Sequence, residues 1–181
     1  MPNRKPRLLL HLCCGPCGTA VIERLALDYD VTPYWFNPNV QPDEEYARRL
    51  EAALKLTAQW QLAMPVEEGG TEEFAALARG LESLPEGGER CLRCYELRLR
   101  RAVAYAAANG FSHVAATLSI SPHKSAEQIN AIGQRLAQEA GLAFVAEDFK
   151  TAGGFERSVA LSHQYGLYRQ KYCGCLFSRR A

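Results

Sequence analysis

The first apolar block, Leu8 to Leu12, is short and continuous in the manner of a buried strand. Gly15-Pro16 interrupts it before apolar residues return at helical spacing through Ala20, Val21, Leu25 and Leu27. Val31 to Phe36, rich in β-branched and aromatic residues, predicts a second strand that stops at Asn37-Pro38-Asn39, a turn-forming triplet. Pro42 suits a first helical position, Asp43, Glu44 and Glu45 complement the helix dipole, and a helix to about Trp60 puts Tyr46, Leu50 and Leu54 on one face. Residues 61–66 read as a short strand, Thr71 as the cap of a short helix carrying Phe74 and Leu77, and residues 80–90 as a mobile loop around Pro85 and Gly87-Gly88. A helical pattern from Cys91 to about Asn109 stops at Gly110. His113 to Leu118 predict a third strand, Ser121-Pro122 a helix start leading to Ile129, Ile132 and Leu136 and ending at Gly141, and Leu142 to Val145 a fourth strand.

Short apolar strands alternating with helices of this length predict an α/β fold: three layers around a mostly parallel sheet, in a single domain over residues 1–181. Sites in such folds form at the carboxyl ends of the strands, where the topology switches. The loop holding Cys13, Cys14 and Cys17, the Asn37–Asn39 turn and the Ser119–Lys124 loop therefore share one rim.

Length and charge narrow the picture modestly. A chain of 181 residues with 21 basic and 20 acidic side chains is one domain's worth, and it is no general polyanion binder, although a local basic patch is compatible with it. The run after Arg4, Lys5 and Arg7 contains His11 and is shorter than the ~7 to 15 residues of a signal-peptide core. No stretch approaches the ~18 apolar residues of a membrane span, so a soluble, cytoplasmic protein is expected.

The seven cysteines change the picture most. They fall in three tight groups far apart in sequence, Cys13, Cys14 and Cys17, then Cys91 and Cys94, then Cys173 and Cys175, and a fold that brings such groups together builds a thiolate metal centre. Cys91 and Cys94 stand three apart at a helix start, so both face one way, and the helix dipole is expected to lower their thiol pKa values. Arg98, one turn on, either offsets thiolate charge, reaches a phosphate or is simply solvated beside Glu96. The first group occupies the loop where nucleotide-binding folds keep a glycine-rich phosphate cradle, of which only Gly15 remains. Seven thiols exceed one closed tetrahedral zinc site, which favours an iron cluster with an additional ion or a redox pair.

Other polar groups carry weaker signals. Asp148 and Lys150 follow a strand and are candidate catalytic groups, with simple solvation as the alternative, and His11 reads as a core histidine. Tyr168, Arg169, Gln170 and Tyr172 precede Cys173 in a mixture suited to stacking on a base and holding phosphate; the plainer reading packs the two tyrosines on a helix.

The segments L-L-L-H-L-C-C-G-P-C, W-F-N-P-N-V-Q-P-D-E-E-Y-x-R-R, R-C-L-R-C-Y-E-L-R-L, S-I-S-P-H-K, E-D-F-K-x-x-G-G and L-Y-R-Q-K-Y-C-G-C, in this order along the chain, resemble the cobalamin-independent epoxyqueuosine reductase family. The resemblance implies a Rossmann-like fold of the adenine-nucleotide-hydrolase type. It also implies a two-electron removal of the epoxide oxygen from epoxyqueuosine at the tRNA wobble position, the last step of queuosine synthesis. The implied cofactors are a four-iron, four-sulfur cluster with a further mononuclear iron and no cobalamin, all seven cysteines serving as metal residues. Cys91, Cys94 and Cys14 are assigned to the cluster with Cys13 or one tail cysteine, and Cys17 with the remaining thiols to the adjacent iron. Asp148, Lys150 and Tyr172 become the expected catalytic groups. Asn37 and Asn39, from the rim turn, join Arg98, Lys124, Tyr168, Arg169 and Lys171 as the expected substrate and tRNA contacts, with an unnamed electron donor as the other partner. Two competing readings are an ATP-dependent tRNA thiolation enzyme, which lacks its phosphate loop here, and a non-enzymatic electron carrier or zinc-stapled nucleic-acid binder.

Overall fold

In the computed structural model, which describes residues 4–179, the chain alternates strands and helices: β1 (Arg7–His11), α1 (Gly15–Leu25), β2 (Asp30–Tyr34), α2 (Asp43–Gln59), α3 (Thr71–Ala78), α4 (Glu89–Ala108), β3 (His113–Ala116), α5 (Ala126–Glu139), β4 (Ala143–Phe144) and α6 (Gly154–Gln164). The four strands pair in parallel in the order β2-β1-β3-β4. Alternation along the strands sorts the core into two layers. Leu8, Leu10, Val31 and Ala115 face a cluster with Val21, Ile22 and Leu25 of α1 and Leu56 of α2, whereas Leu9, Tyr34, Val114 and Ala116 face α4 and α5 through Leu99, Val103, Ile129 and Leu136. Leu10 is fully buried at the sheet centre, so Leu10→Ala is expected to cost about 2–5 kcal/mol, read as a lower urea midpoint in equilibrium unfolding.

β1 has β2 on one side and β3 on the other, so the loops leaving β1 and β3 open a crevice at their carboxyl ends, and the Cys13 N–H donates to Thr117 Oγ1 across it at 3.1 Å. Asn37 Nδ2 donates to the Leu12 carbonyl at 2.9 Å, bringing the turn after β2 to the same rim.

Several local expectations shift, each for an identifiable reason. Pro42 is the cap of α2 rather than its first helical residue, and α2 buries Glu45, Arg49, Ala52, Ala53 and Leu56 while Leu54 is exposed, because a charged pair takes the inner face. Gly70 in the left-handed region caps α3 with no side-chain bond, so Thr71 is its first residue. Residues 61–66 contribute a single bridge, Trp35 with Val66, instead of a strand. α5 is capped by Ser125, whose hydroxyl accepts the Gln128 N–H at 3.3 Å, and the Ser121-Pro122 segment is a turn before it. The loop before α4 is tied down by Arg90, whose Nη1 donates to the carbonyls of Leu81, Glu82 and Leu84. α6 has no counterpart in the sequence reading. The segment with Tyr168 and Tyr172 is an extended strap, not a helix.

Among the described residues no helix is long and apolar enough to cross a membrane.

Candidate metal centre

The first cysteine group sits where β1 turns into α1. Cys14 is the α1 cap: its Sγ accepts the Cys17 N–H at 3.2 Å, filling the place that a serine or aspartate oxygen takes at an ordinary helix start. The Sγ atoms of Cys13, Cys14 and Cys17 all lie within 4.8 Å of one another, and Thr117 Oγ1 donates to Cys13 Sγ at 3.1 Å. Cys14 and Cys17 are joined as a disulfide, so neither presents a free thiolate before two-electron reduction.

The second and third groups meet in one cleft. Cys91 and Cys94 of α4 line it together with Cys173 and Cys175 from the strap, and Cys94 and Cys175 pack with Phe74 and Ala78 of α3. Cys13 packs on the cluster containing Cys91, and the Gln170 amide of the strap donates to Cys14 Sγ at 2.9 Å, so the loop, the helix and the strap converge.

Charge at the cleft is unusual. Arg90 and Arg98 are 1 % and 4 % exposed, both line it, and among the described residues neither has a carboxylate partner. Arg98 Nη1 donates to Asn37 Oδ1 at 3.4 Å, while Arg90 Nε and Nη2 are buried without a partner among the described residues. Burial opposes the Arg98 charge, but the sulfurs of Cys94, Cys13 and Cys173 and the Tyr95 phenol outweigh it and hold its pKa above the ordinary arginine value. Burial pushes the Cys94 thiol up to about 11, with Arg98 pulling the other way, and raises Cys175 as well. The lowering expected from the helix start is therefore overturned at Cys94: it lies beyond the first turn of α4, and desolvation wins. His11 is held down at about 3 by burial and by Arg98, a neutral core histidine bonded to the Phe36 carbonyl at 2.9 Å.

The remaining candidates separate by position. Asn39, 1 % exposed with Oδ1 unpartnered, and Lys124 line the cleft. Asn37 lies behind it, holding β1 to Arg98. Asp148 and Lys150 form a half-buried ion pair at 2.8 Å, one loop away, with Lys150 Nζ also donating to the carbonyls of Ser119 and Lys124. Tyr168 donates its hydroxyl to Glu45 Oε2 of α2 at 2.7 Å and Tyr172 to the Gln41 carbonyl, just before that helix; burial raises the pKa of both. Arg169 Nη1 donates to Ser162 Oγ at 2.7 Å, and Lys171 is exposed on the strap. Arg90, Thr117 and the Glu45–Arg49 pair were not singled out from sequence, and Gln170, read there as a base or phosphate contact, instead donates to Cys14 Sγ. Arg90 adjoins Cys91 in sequence, and Glu45–Arg49 shows the spacing of a helical ion pair, signals too common on surface helices to stand out.

A sequence model described as "Epoxyqueuosine reductase QueH" matches residues 8–181, so the match takes in all three cysteine groups. The chain belongs to the epoxyqueuosine reductase QueH family. Relatives bearing that description include one from Streptococcus pyogenes serotype M1, 36% identical over 186 residues that cover 97% of this chain and 71% of the relative. One from Histophilus somni is 34% identical over 99% of this chain and 75% of its own length. One from Thermotoga maritima is 34% identical over 94% and 89%. The Cys13, Cys14 and Cys17 sulfurs, close enough together to hold a metal ion, lie at the carboxyl end of β1.

Proposed function

We infer that this protein reduces epoxyqueuosine to queuosine in the anticodon loop of tRNA, at an iron-sulfur cluster with an adjacent iron. The observation that carries the reading is the cleft of four converging thiols beside two buried arginines that lack acidic partners, in a chain of this family. The donor set fits the group. Soft thiolates select iron-sulfur clusters and zinc over hard cations. A buried thiol such as Cys94 stays protonated until a metal takes the proton's place, and Arg90 and Arg98, without a carboxylate partner among the described residues, match an anionic thiolate-ligated occupant.

Cys91, Cys94, Cys173 and Cys175 would hold the cluster or share it with Cys13, leaving reduced Cys14 and Cys17 for the adjacent iron. A metal centre held by these cysteines would supply electrons and an electrophile for oxygen. Converting an epoxide to an alkene takes two electrons and two protons and releases water, so the chain must orient the ring and deliver protons. Asn39 Oδ1, buried and without a donor among the described residues, would accept a hydrogen bond from a hydroxyl of the modified ring, and Lys124 at the same cleft suits a phosphate. Lys171 extends that contact along the strap, with Tyr168 and Arg169 beside it. The Asp148–Lys150 pair, joined to the Lys124 carbonyl, is the proposed proton route into the cleft. Asp148→Asn is then expected to lower turnover about 10² to 10⁴-fold with metal content unchanged; full turnover in that variant removes Asp148 from the role.

The reading is tested by anaerobic reconstitution with iron and sulfide, followed by reaction with epoxyqueuosine-containing tRNA and a chemical reductant. Digested tRNA is expected to show queuosine by mass spectrometry. An active zinc-loaded, colourless protein would contradict the iron assignment.

A further inference from the structure

We propose that the buried Glu45–Arg49 pair of α2 is the positioning device that delivers Cys173 and Cys175 to the cleft. The inference rests on the reading of those cysteines as ligands and names the residues that make them so.

The strap from Leu167 to Cys175 has no helix or strand of its own, so tertiary contacts must fix it. Arg49 supplies them as a fork. Its Nη1 donates to the Cys173 carbonyl at 3.0 Å, its Nη2 to the Tyr172 carbonyl at 2.8 Å, and its Nε to Glu45 Oε1 at 2.7 Å. The guanidinium also lies 5.1 Å from the Tyr172 ring centre. Arg49 is 2 % exposed and Glu45 7 %, so the pair is an interior one whose remaining acceptor, Glu45 Oε2, is taken by Tyr168 of the same strap. Every polar arm of the pair is thus spent on its partner or on the strap.

An independent observation points the same way. Gly174, between the two cysteines, has φ 111° and is crowded where a side chain would stand: a Cβ there would lie 2.9 Å from Val40 Cγ2 and 3.0 Å from Arg49 Nη1. The Gly174 carbonyl accepts the Gln41 N–H at 2.9 Å. The missing side chain lets the strap lie against Arg49, and that contact sets where the flanking thiols point. Neither Glu45 nor Arg49 lines the cleft, so both act through the cysteines.

The test is amide hydrogen exchange on metal-free protein, wild type against Arg49→Gln, Glu45→Gln and Gly174→Ala. Each variant is expected to speed exchange in residues 168–176 by about tenfold or more while the amides of α4 and the sheet keep their wild-type rates. Arg49→Lys, which keeps the charge without the fork, is expected to leave the strap released. Unchanged strap exchange, or an increase spread evenly over α4 and the sheet, overturns the proposal. A second arm follows iron retention against a chelator, expected to fall in the same variants. If the strap is released but wild-type protein takes up no iron, the metal reading fails and the clamp stands. If wild type holds iron and the released variants hold it equally well, the pair does not position ligands and the proposal is lost.

Discussion

Cys94→Ser is expected to abolish the metal centre and lower turnover by about 10³-fold or more while leaving a folded protein, on the scale of losing metal-supplied catalysis. Cys94 projects from α4 into the cleft beside Cys173 and Cys175 and is 6 % exposed. A serine there is nearly isosteric but presents a hard oxygen whose proton is far more tightly held, so the soft ligand is lost with little change in volume. Burial already keeps the Cys94 thiol neutral in the absence of metal, so the apo fold gains nothing from ionisation at this position. Circular dichroism and the urea midpoint of metal-free protein should match wild type, and iron and sulfide per chain should collapse. A variant that keeps both its iron and its turnover would remove Cys94 from the centre.

Arg98→Met is expected to act with opposite signs in the two states of the protein. Without metal, Arg98 is a buried cation with no carboxylate partner among the described residues, and Cys94, the largest favourable influence on its charge, is held protonated by burial, so the anion that would favour the guanidinium is missing. Replacing a buried charge by a packed apolar chain of similar length is often neutral or stabilising by ~1–4 kcal/mol. With thiolates formed on a metal, the same guanidinium faces Cys94, Cys13 and Cys173 as a counter-charge, and its loss should speed metal release to a chelator by about 10 to 100-fold, the range found when groups supporting metal ligands are removed. The pair of measurements, urea unfolding of the apo form and chelator kinetics of the loaded form, separates this from a packing role, which would weaken both. Simple destabilisation of both states would contradict the assignment of Arg98 as counter-charge.

The strand-helix alternation and the shared rim were legible because period and punctuation as far as Gly141 are strong: Leu8–Leu12, Val31–Phe36 and the Gly110 and Gly141 stops all fall within a few residues of the observed boundaries. The meeting of Cys91 and Cys94 with Cys173 and Cys175 in one cleft was legible too, since short cysteine motifs on separate elements have little other reason to exist. What escaped was contextual. α6 begins at Gly153-Gly154 without a side-chain cap, so no start signal marks it. The buried face of α2 carries Glu45 and Arg49, and a reading that places charges outside selects Leu54, which is 45 % exposed. Tyr168 and Tyr172 have helical spacing, yet Gly174 and the pull of Arg49 keep the segment extended, and their hydroxyls bond Glu45 of α2 and the Gln41 carbonyl just before it. Thiol acidity also could not be read from helix position, because burial decides it at Cys94.

The central claim is that three distant cysteine groups fold into one iron centre that removes an epoxide oxygen from a tRNA base. It is tested most directly by mass spectrometry of nucleosides from epoxyqueuosine-containing tRNA after a single anaerobic turnover with reduced, iron-loaded protein. The account predicts a product lighter by one oxygen atom, formed by the wild type and absent with Cys94→Ser. An unaltered epoxide with fully iron-loaded, reduced wild type, or equal product from the Cys94→Ser variant, would contradict it.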